Sequence, residues 1–185
     1  MIVLAILTAV LHFGLRYYIT PPLGEDVKDR FIERDKFIPS LKNGAGQDGG
    51  KLTATNLRQW IHDPANLDAR KGYVTPVILP LDLLFLIAAG CLLGFTSQML
   101  AGKISLVGAV PVIAWWTLPV AYMFSDFAED GMIVTLLSWP GAITDASFQA
   151  LRLFTMIKLY SIGAAIIQAG LLIAGWLAAR AGFIA

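Results

Sequence analysis

Hydrophobic positions along this chain fall into long blocks rather than short alternations. Residues 83–102, 104–125 and 159–179 contain no charged side chain. Each block meets the length of roughly 20 residues that a helix needs to cross about 30 Å of hydrocarbon. An earlier block, residues 2–19, is interrupted by His12 and Arg16. A secretory signal would begin with basic residues and end at a small-residue cleavage site. Residues 1–11 contain no Lys or Arg, and nothing near Tyr17-Tyr18 looks cleavable, so the block reads as an uncleaved first helix. Arg16 can snorkel to the interface there, with Tyr17 and Tyr18 as amphipathic anchors. The pattern predicts an all-α polytopic membrane protein: four transmembrane helices with a polar loop between the first and second. The divisions are residues 1–19 for the first helix, 20–73 for the polar loop and 74–180 for a three-helix bundle.

Within the polar stretch, Pro21-Pro22 is followed by a region dense in mixed charge. Val27, Phe31 and Ile32 recur near helical spacing there, which predicts a short amphipathic helix over residues 25–37, lying on the membrane surface. Residues 43–50 are Gly-rich and read as a flexible loop. Thr53 is placed as the N-cap of a second short helix over residues 54–62, which stops before Asp63-Pro64. Thr75-Pro76 is expected to open the second spanning helix, with proline in its first turn.

The connection after the second span is short, with Ala101-Gly102-Lys103 predicting a tight antiparallel hairpin. As one helix, residues 104–139 would be about 54 Å long at 1.5 Å per residue, too much for a single crossing. Pro111 and Pro119 therefore predict kinks, or a helix that begins late. Pro140-Gly141 ends it, and residues 151–179 form the fourth helix. Gly163, Ala164, Ala165, Gly170 and Gly175 offer small positions for close packing there.

Composition reinforces the membrane reading. Of 185 residues, 57% are hydrophobic and 15% charged, against about 25% charged in ordinary soluble domains. Nine Lys/Arg and eight Asp/Glu lie between Thr20 and Gly72, leaving five of each elsewhere. The net charge of +1 gives no basis for nucleic-acid binding. Cys91 is the sole cysteine, so neither an intramolecular disulfide nor a thiolate cluster can form.

The remaining charges carry the candidate chemistry. On the face that bears the polar loop, here side A, the first helix ends, the second begins, the third ends and the fourth begins. Counting inward along each helix puts Arg16, Asp82, Asp126, Glu129, Asp130 and Lys158 roughly 10 Å below the same surface. Asp126, Glu129 and Asp130 have i, i+3, i+4 spacing and share one helix face. An ionised side chain at such depth costs about 2.5–3.5 kcal/mol on insertion scales. These groups must pair, take up protons, or share the site with a cation or ligand amine.

Other chemistries find little support. With His12 in the first helix and His62 in the polar loop, no bis-His haem or His-rich di-iron cluster fits within the bundle. No P-loop, H-E-x-x-H or G-x-S-x-G is present. Ser125 stands beside Asp126 with no histidine placed to activate it. No catalytic residue, metal centre or cofactor is assigned.

The run Pro80-Leu81-Asp82-Leu83-Leu84-Phe85, then Asp126-Phe127-Ala128-Glu129-Asp130, then Phe154-Thr155-Met156-Ile157-Lys158 resembles a group of small, uncharacterised four-helix bacterial membrane proteins. The resemblance covers about residues 74–180 and implies a multi-pass protein of the bacterial inner (cytoplasmic) membrane, without a family activity to transfer. Residues 52–64 resemble the stretch of c-type cytochrome domains that leads toward the methionine ligand. C-x-x-C-H is missing and no Met follows in the polar loop, so no haem is implied; the resemblance implies either kinship with a respiratory partner or a coincidence between short amphipathic helices.

The expected function is an accessory or assembly subunit whose charge network holds the bundle, with the lipid bilayer and a larger membrane complex as partners. The alternative is a small proton-, cation- or solute-coupled transporter using the same network, and a membrane enzyme comes third. Ten Lys/Arg on side A, Arg16 included, against Lys103 and Arg180 opposite place side A in the cytoplasm by the positive-inside rule. The length of the loop and its cytochrome likeness would suit the other face.

Overall fold

The computed structural model describes residues 1–20 and 53–183. These form an all-helical structure with no strand among them. The amphipathic helix expected at residues 25–37 and the loop at 43–50 lie outside the described residues.

The first block forms α1, Ile2–Gly14, continued by a wider π-type turn over Leu15–Ile19. Helix α2 is Ala54–His62, as the Thr53 cap signal predicts. Asp63 then accepts a hydrogen bond from the Ala65 amide at 2.9 Å. That bond opens a tight turn over Pro64–Asn66, and α3, Leu67–Gly72, follows directly.

The second hydrophobic block departs from expectation. Thr75-Pro76 does not open a regular helix. Backbone over Tyr73–Asp82 is interrupted twice, at Thr75 (φ −141°, ψ 118°) and Leu79 (φ −115°, ψ 113°). Each of these residues precedes a proline, whose ring clashes with an α-helical neighbour. Regular helix resumes only in α4, Leu83–Ala101, with Asp82 at its N-cap. Asp82 therefore sits at the start of a helix, not two turns inside one.

The hairpin is also wider than expected. Gly102 and Lys103 turn the chain, a short helical turn covers Ser105–Val107, and α5, Val112–Ser138, starts after Pro111. Of the two expectations for this block, the late start is the one observed. Beyond Ser138 a tight turn over Pro140–Ala142 leads into α6, Asp145–Arg180. This helix begins before Leu151 because Thr144 and Ser147 cap it reciprocally. The Ser147 amide donates to Thr144 Oγ1 at 3.1 Å, and the Thr144 amide donates to Ser147 Oγ at 2.9 Å.

Among the described residues, three helical stretches are long and apolar enough to cross a membrane: Ile2–Ile19, Pro64–Ala101 (through the breaks at Thr75 and Leu79) and Asp145–Arg180. Their outward faces expose large apolar side chains such as Ile6, Val10, Leu84, Ile167 and Leu171, as a lipid-facing surface requires. Buried apolar residues form three groups along the bundle. One holds Leu57, Trp60, Ile78, Ile133, Leu137 and Leu151, another Leu86, Ala89 and Tyr122, and the last Leu100, Ile104 and Leu172.

The closest helix packing falls on α4, while on α6 Ala165 is fully buried and a Cβ at Gly175 would lie 3.2 Å from Ile104 Cδ1. A Cβ at Gly94 would lie 2.6 Å from the Trp116 ring, and one at Gly90 would lie 2.3 Å from Met123 Cγ. Nothing approaches within 4 Å of a Cβ at Gly163 or Gly170. Trp116 cannot easily yield, because its indole N–H donates to Gln98 Oε1 at 2.9 Å and Phe95 packs edge-on against the ring at 4.9 Å. Gly94→Ala is accordingly expected to destabilise by about 1–3 kcal/mol through overpacking, measured as thermal unfolding in detergent. Gly170→Ala should stay within about 0.5 kcal/mol of the parent.

Candidate functional site: a buried carboxylate–lysine layer

The polar layer is bracketed by apolar groups on each helix that carries it. Along α5 the order is Tyr122, then Asp126, Glu129 and Asp130, then Ile133. Along α6 it is Leu151, then Thr155 and Lys158, then Ile162. On the way into α4 it is Ile78, Asp82, Leu86. The outer residues of each run belong to the side-A apolar group and to the group around Tyr122. Counted from helix ends, the layer is deeper than expected. Asp130 and Asp126 lie about 12 and 18 Å from the end of α5, and Lys158 about 20 Å from the start of α6.

Asp126 and Glu129 are each 2% exposed, and Asp130 is 7% exposed. Lys158 reaches both of the first two: its Nζ is 2.6 Å from Asp126 Oδ1 and 2.9 Å from Glu129 Oε2. Thr155, one turn earlier on α6, donates its hydroxyl to Glu129 Oε1. Glu129 is thereby held through both oxygens by α6. Tyr122, 1% exposed, stands within hydrogen-bonding reach of Asp126 from one turn back on α5.

On the other side of Asp126 the acids converge. Asp82, Asp126 and Asp130 each offer a carboxylate oxygen, and the three oxygens lie within 4.8 Å of one another. Asp130 Oδ2 is buried and has no hydrogen-bond partner among the described residues. Asp126 thus links two subsites: a closed ion pair toward α6, and an acid cluster toward the start of α4. Asp82 enters the cluster from the N-cap of α4.

Arg16 departs from the expected arrangement. It is exposed, with its guanidinium 5.7 Å from the Tyr17 ring centroid, and takes no observed part in the layer. Arg16 is the second residue of the π-type turn, where an exposed basic side chain is better solvated than in the bundle. Tyr122 and Thr155 are contributors that charge counting alone passed over. Their spacing was available: Tyr122 is i−4 to Asp126, and Thr155 is i−3 to Lys158. Ser125 is not a nucleophile candidate, since its hydroxyl donates to the carbonyls of Ala121 and Tyr122 at 2.7 and 3.0 Å. His12 packs against Phe13 and Phe85 at 5.3 and 5.8 Å, and His62 is exposed at the end of α2.

Helix α2 covers the side-A end of the layer. Leu57, Trp60 and Ile61 are buried in the side-A apolar group, and Arg58 donates to the Ile143 carbonyl. Leu57→Ala removes a side chain with no exposure and is expected to destabilise by about 2–5 kcal/mol. Near-ultraviolet circular dichroism of the buried tryptophan on heating would report it.

No family model matches the chain, and no curated protein or solved structure matches it either.

Proposed function

We propose that this is a four-span membrane protein that takes up and releases protons or a cation at the carboxylate–lysine layer, acting as a small coupled transporter. In this reading α5 supplies the fourth crossing. It is 27 residues long, and its Asp126, Glu129 and Asp130 all face the layer rather than lipid. The observation that carries the reading is the meeting of Asp82, Asp126 and Asp130 within 4.8 Å, although Lys158 is already committed to Asp126 and Glu129. Four carboxyls against one ammonium leave an acidic excess that protons or a cation must offset in a medium of low dielectric. The broken backbone before Asp82 supports it. Irregular backbone at membrane depth is tolerated where it is covered by protein or lines a polar cavity, and interrupted helices often border ion sites.

Side A, with its excess of Lys and Arg, faces the cytoplasm in this reading. The test is reconstitution into liposomes, with an internal pH dye and cation electrodes following flux under an imposed gradient. Flux above that of empty liposomes is expected. No flux of any cation or proton would overturn the reading.

A second reading, an accessory subunit, draws on Lys158 and Thr155 tying α6 to Glu129 of α5, which is what a purely structural keystone would do. A gentle-detergent pull-down from the native membrane would then retrieve a stoichiometric partner, and the reconstituted protein would be silent.

A further inference from the structure

We propose that Asp82, Asp126 and Asp130 together bind one hard divalent cation. This rests on the coupled-transport reading and narrows it from protons or any cation to a metal ion of Ca²⁺ or Mn²⁺ type. The donor set is carboxylate oxygen alone, from one residue at the N-cap of α4 and two on one face of α5. Such donors select hard cations over the softer ions that prefer imidazole or thiolate. The spacing suits the class. Oxygens on opposite sides of a cation, each 2.3–2.6 Å away, are about 4.6–5.2 Å apart, and the three carboxylate oxygens here lie within 4.8 Å of one another.

A second observation separates this cluster from an ordinary acidic patch. Asp130 is 7% exposed, and its Oδ2 is buried with no hydrogen-bond partner among the described residues. Its carboxylate is one of the three that converge. An isolated buried carboxylate is expensive unless it is paired, protonated or metal-bound. Lys158 does not fill the role, because its ammonium is engaged with Asp126 Oδ1 and Glu129 Oε2 at 2.6 and 2.9 Å. Charge agrees: a divalent ion offsets most of the excess that Lys158 leaves.

The experiment uses the intact protein in detergent, stripped with chelator and titrated with Mn²⁺ alone under electron paramagnetic resonance, then with Ca²⁺ as competitor. One equivalent of bound Mn²⁺, displaced by Ca²⁺, is expected. Asp130→Asn and Asp82→Asn should each bind at least about tenfold more weakly, the lower end of what loss of even an outer-shell group causes. Asp145→Asn, an exposed acid at the start of α6, should bind like the parent. Circular dichroism would establish that each variant is folded, and the parent's stoichiometry decides the matter if one is not. Absence of binding by the parent overturns the inference, as does binding unchanged in folded Asp130→Asn and Asp82→Asn, which would mark adventitious metal. Should the parent bind no metal yet carry protons in liposomes, the metal inference falls and the coupled reading stands. Silence in both assays removes both.

Discussion

Lys158→Met is expected to destabilise the protein by about 3–5 kcal/mol, the usual consequence of removing one partner from a buried ion pair. The substitution keeps most of the stem volume but takes away the ammonium that contacts Asp126 and Glu129 at 2.6 and 2.9 Å. Both acids are 2% exposed, so neither can turn to water for compensation. Folded yield and thermal unfolding in detergent would read the effect. Adding Glu129→Gln to Lys158→Met should recover part of the loss, because Gln keeps an acceptor for the Thr155 hydroxyl without the orphaned charge. A singly substituted Lys158→Met protein as stable as its parent would show that the pair does not hold α5 to α6.

Asp130→Asn should behave in the opposite way: folded at least as well as the parent, yet without flux. The carboxylate is buried and Oδ2 lacks a hydrogen-bond partner among the described residues, so removing its charge relieves a desolvation cost rather than breaking a pair. If the acid cluster is the site of uptake, the same change removes a group that must gain and lose a proton or cation. Liposome flux falling to the background of empty vesicles, with unchanged or higher thermal stability, is the expected result. Undiminished flux in the folded variant would exclude Asp130 from the path. A large loss of stability instead would favour the structural reading of the layer. The two substitutions therefore separate the halves of the layer, the closed pair at Lys158 from the open cluster at Asp130.

Much of this arrangement is legible from residue order. The i, i+3, i+4 spacing of Asp126, Glu129 and Asp130 places them on one helix face whatever else the chain does. Lys158 is the basic residue of the fourth block nearest the matching depth. The same counting misjudged Arg16, because a residue at the end of a helix can reach either the bundle or the interface, and only packing selects between them. It also misjudged where the fourth helix begins. The Thr144/Ser147 reciprocal cap uses Ser where the usual signature has Glu or Gln, so the signal was weak in the sequence. Among the small residues of the fourth block Ala165 and Gly175 are closely packed and Gly163 and Gly170 are not, while the tightest contacts fall at Gly90 and Gly94 of α4. A glycine's role depends on what faces it, here Met123 and the Trp116 ring.

By itself the sequence determined that this is a helical protein with stretches long and apolar enough to cross a membrane, and that Asp126, Glu129 and Asp130 share one helix face. Hydrophobic block length and the 3.6-residue period are local properties, written in consecutive residues. Tertiary structure alone decided how those charges are shared. It gave Lys158 to Asp126 and Glu129 and brought Asp130 within reach of Asp82. Which carboxylate meets the one ammonium depends on helix rotation and approach to within about an ångström, set by all the packed side chains together. No stretch of sequence carries that information alone.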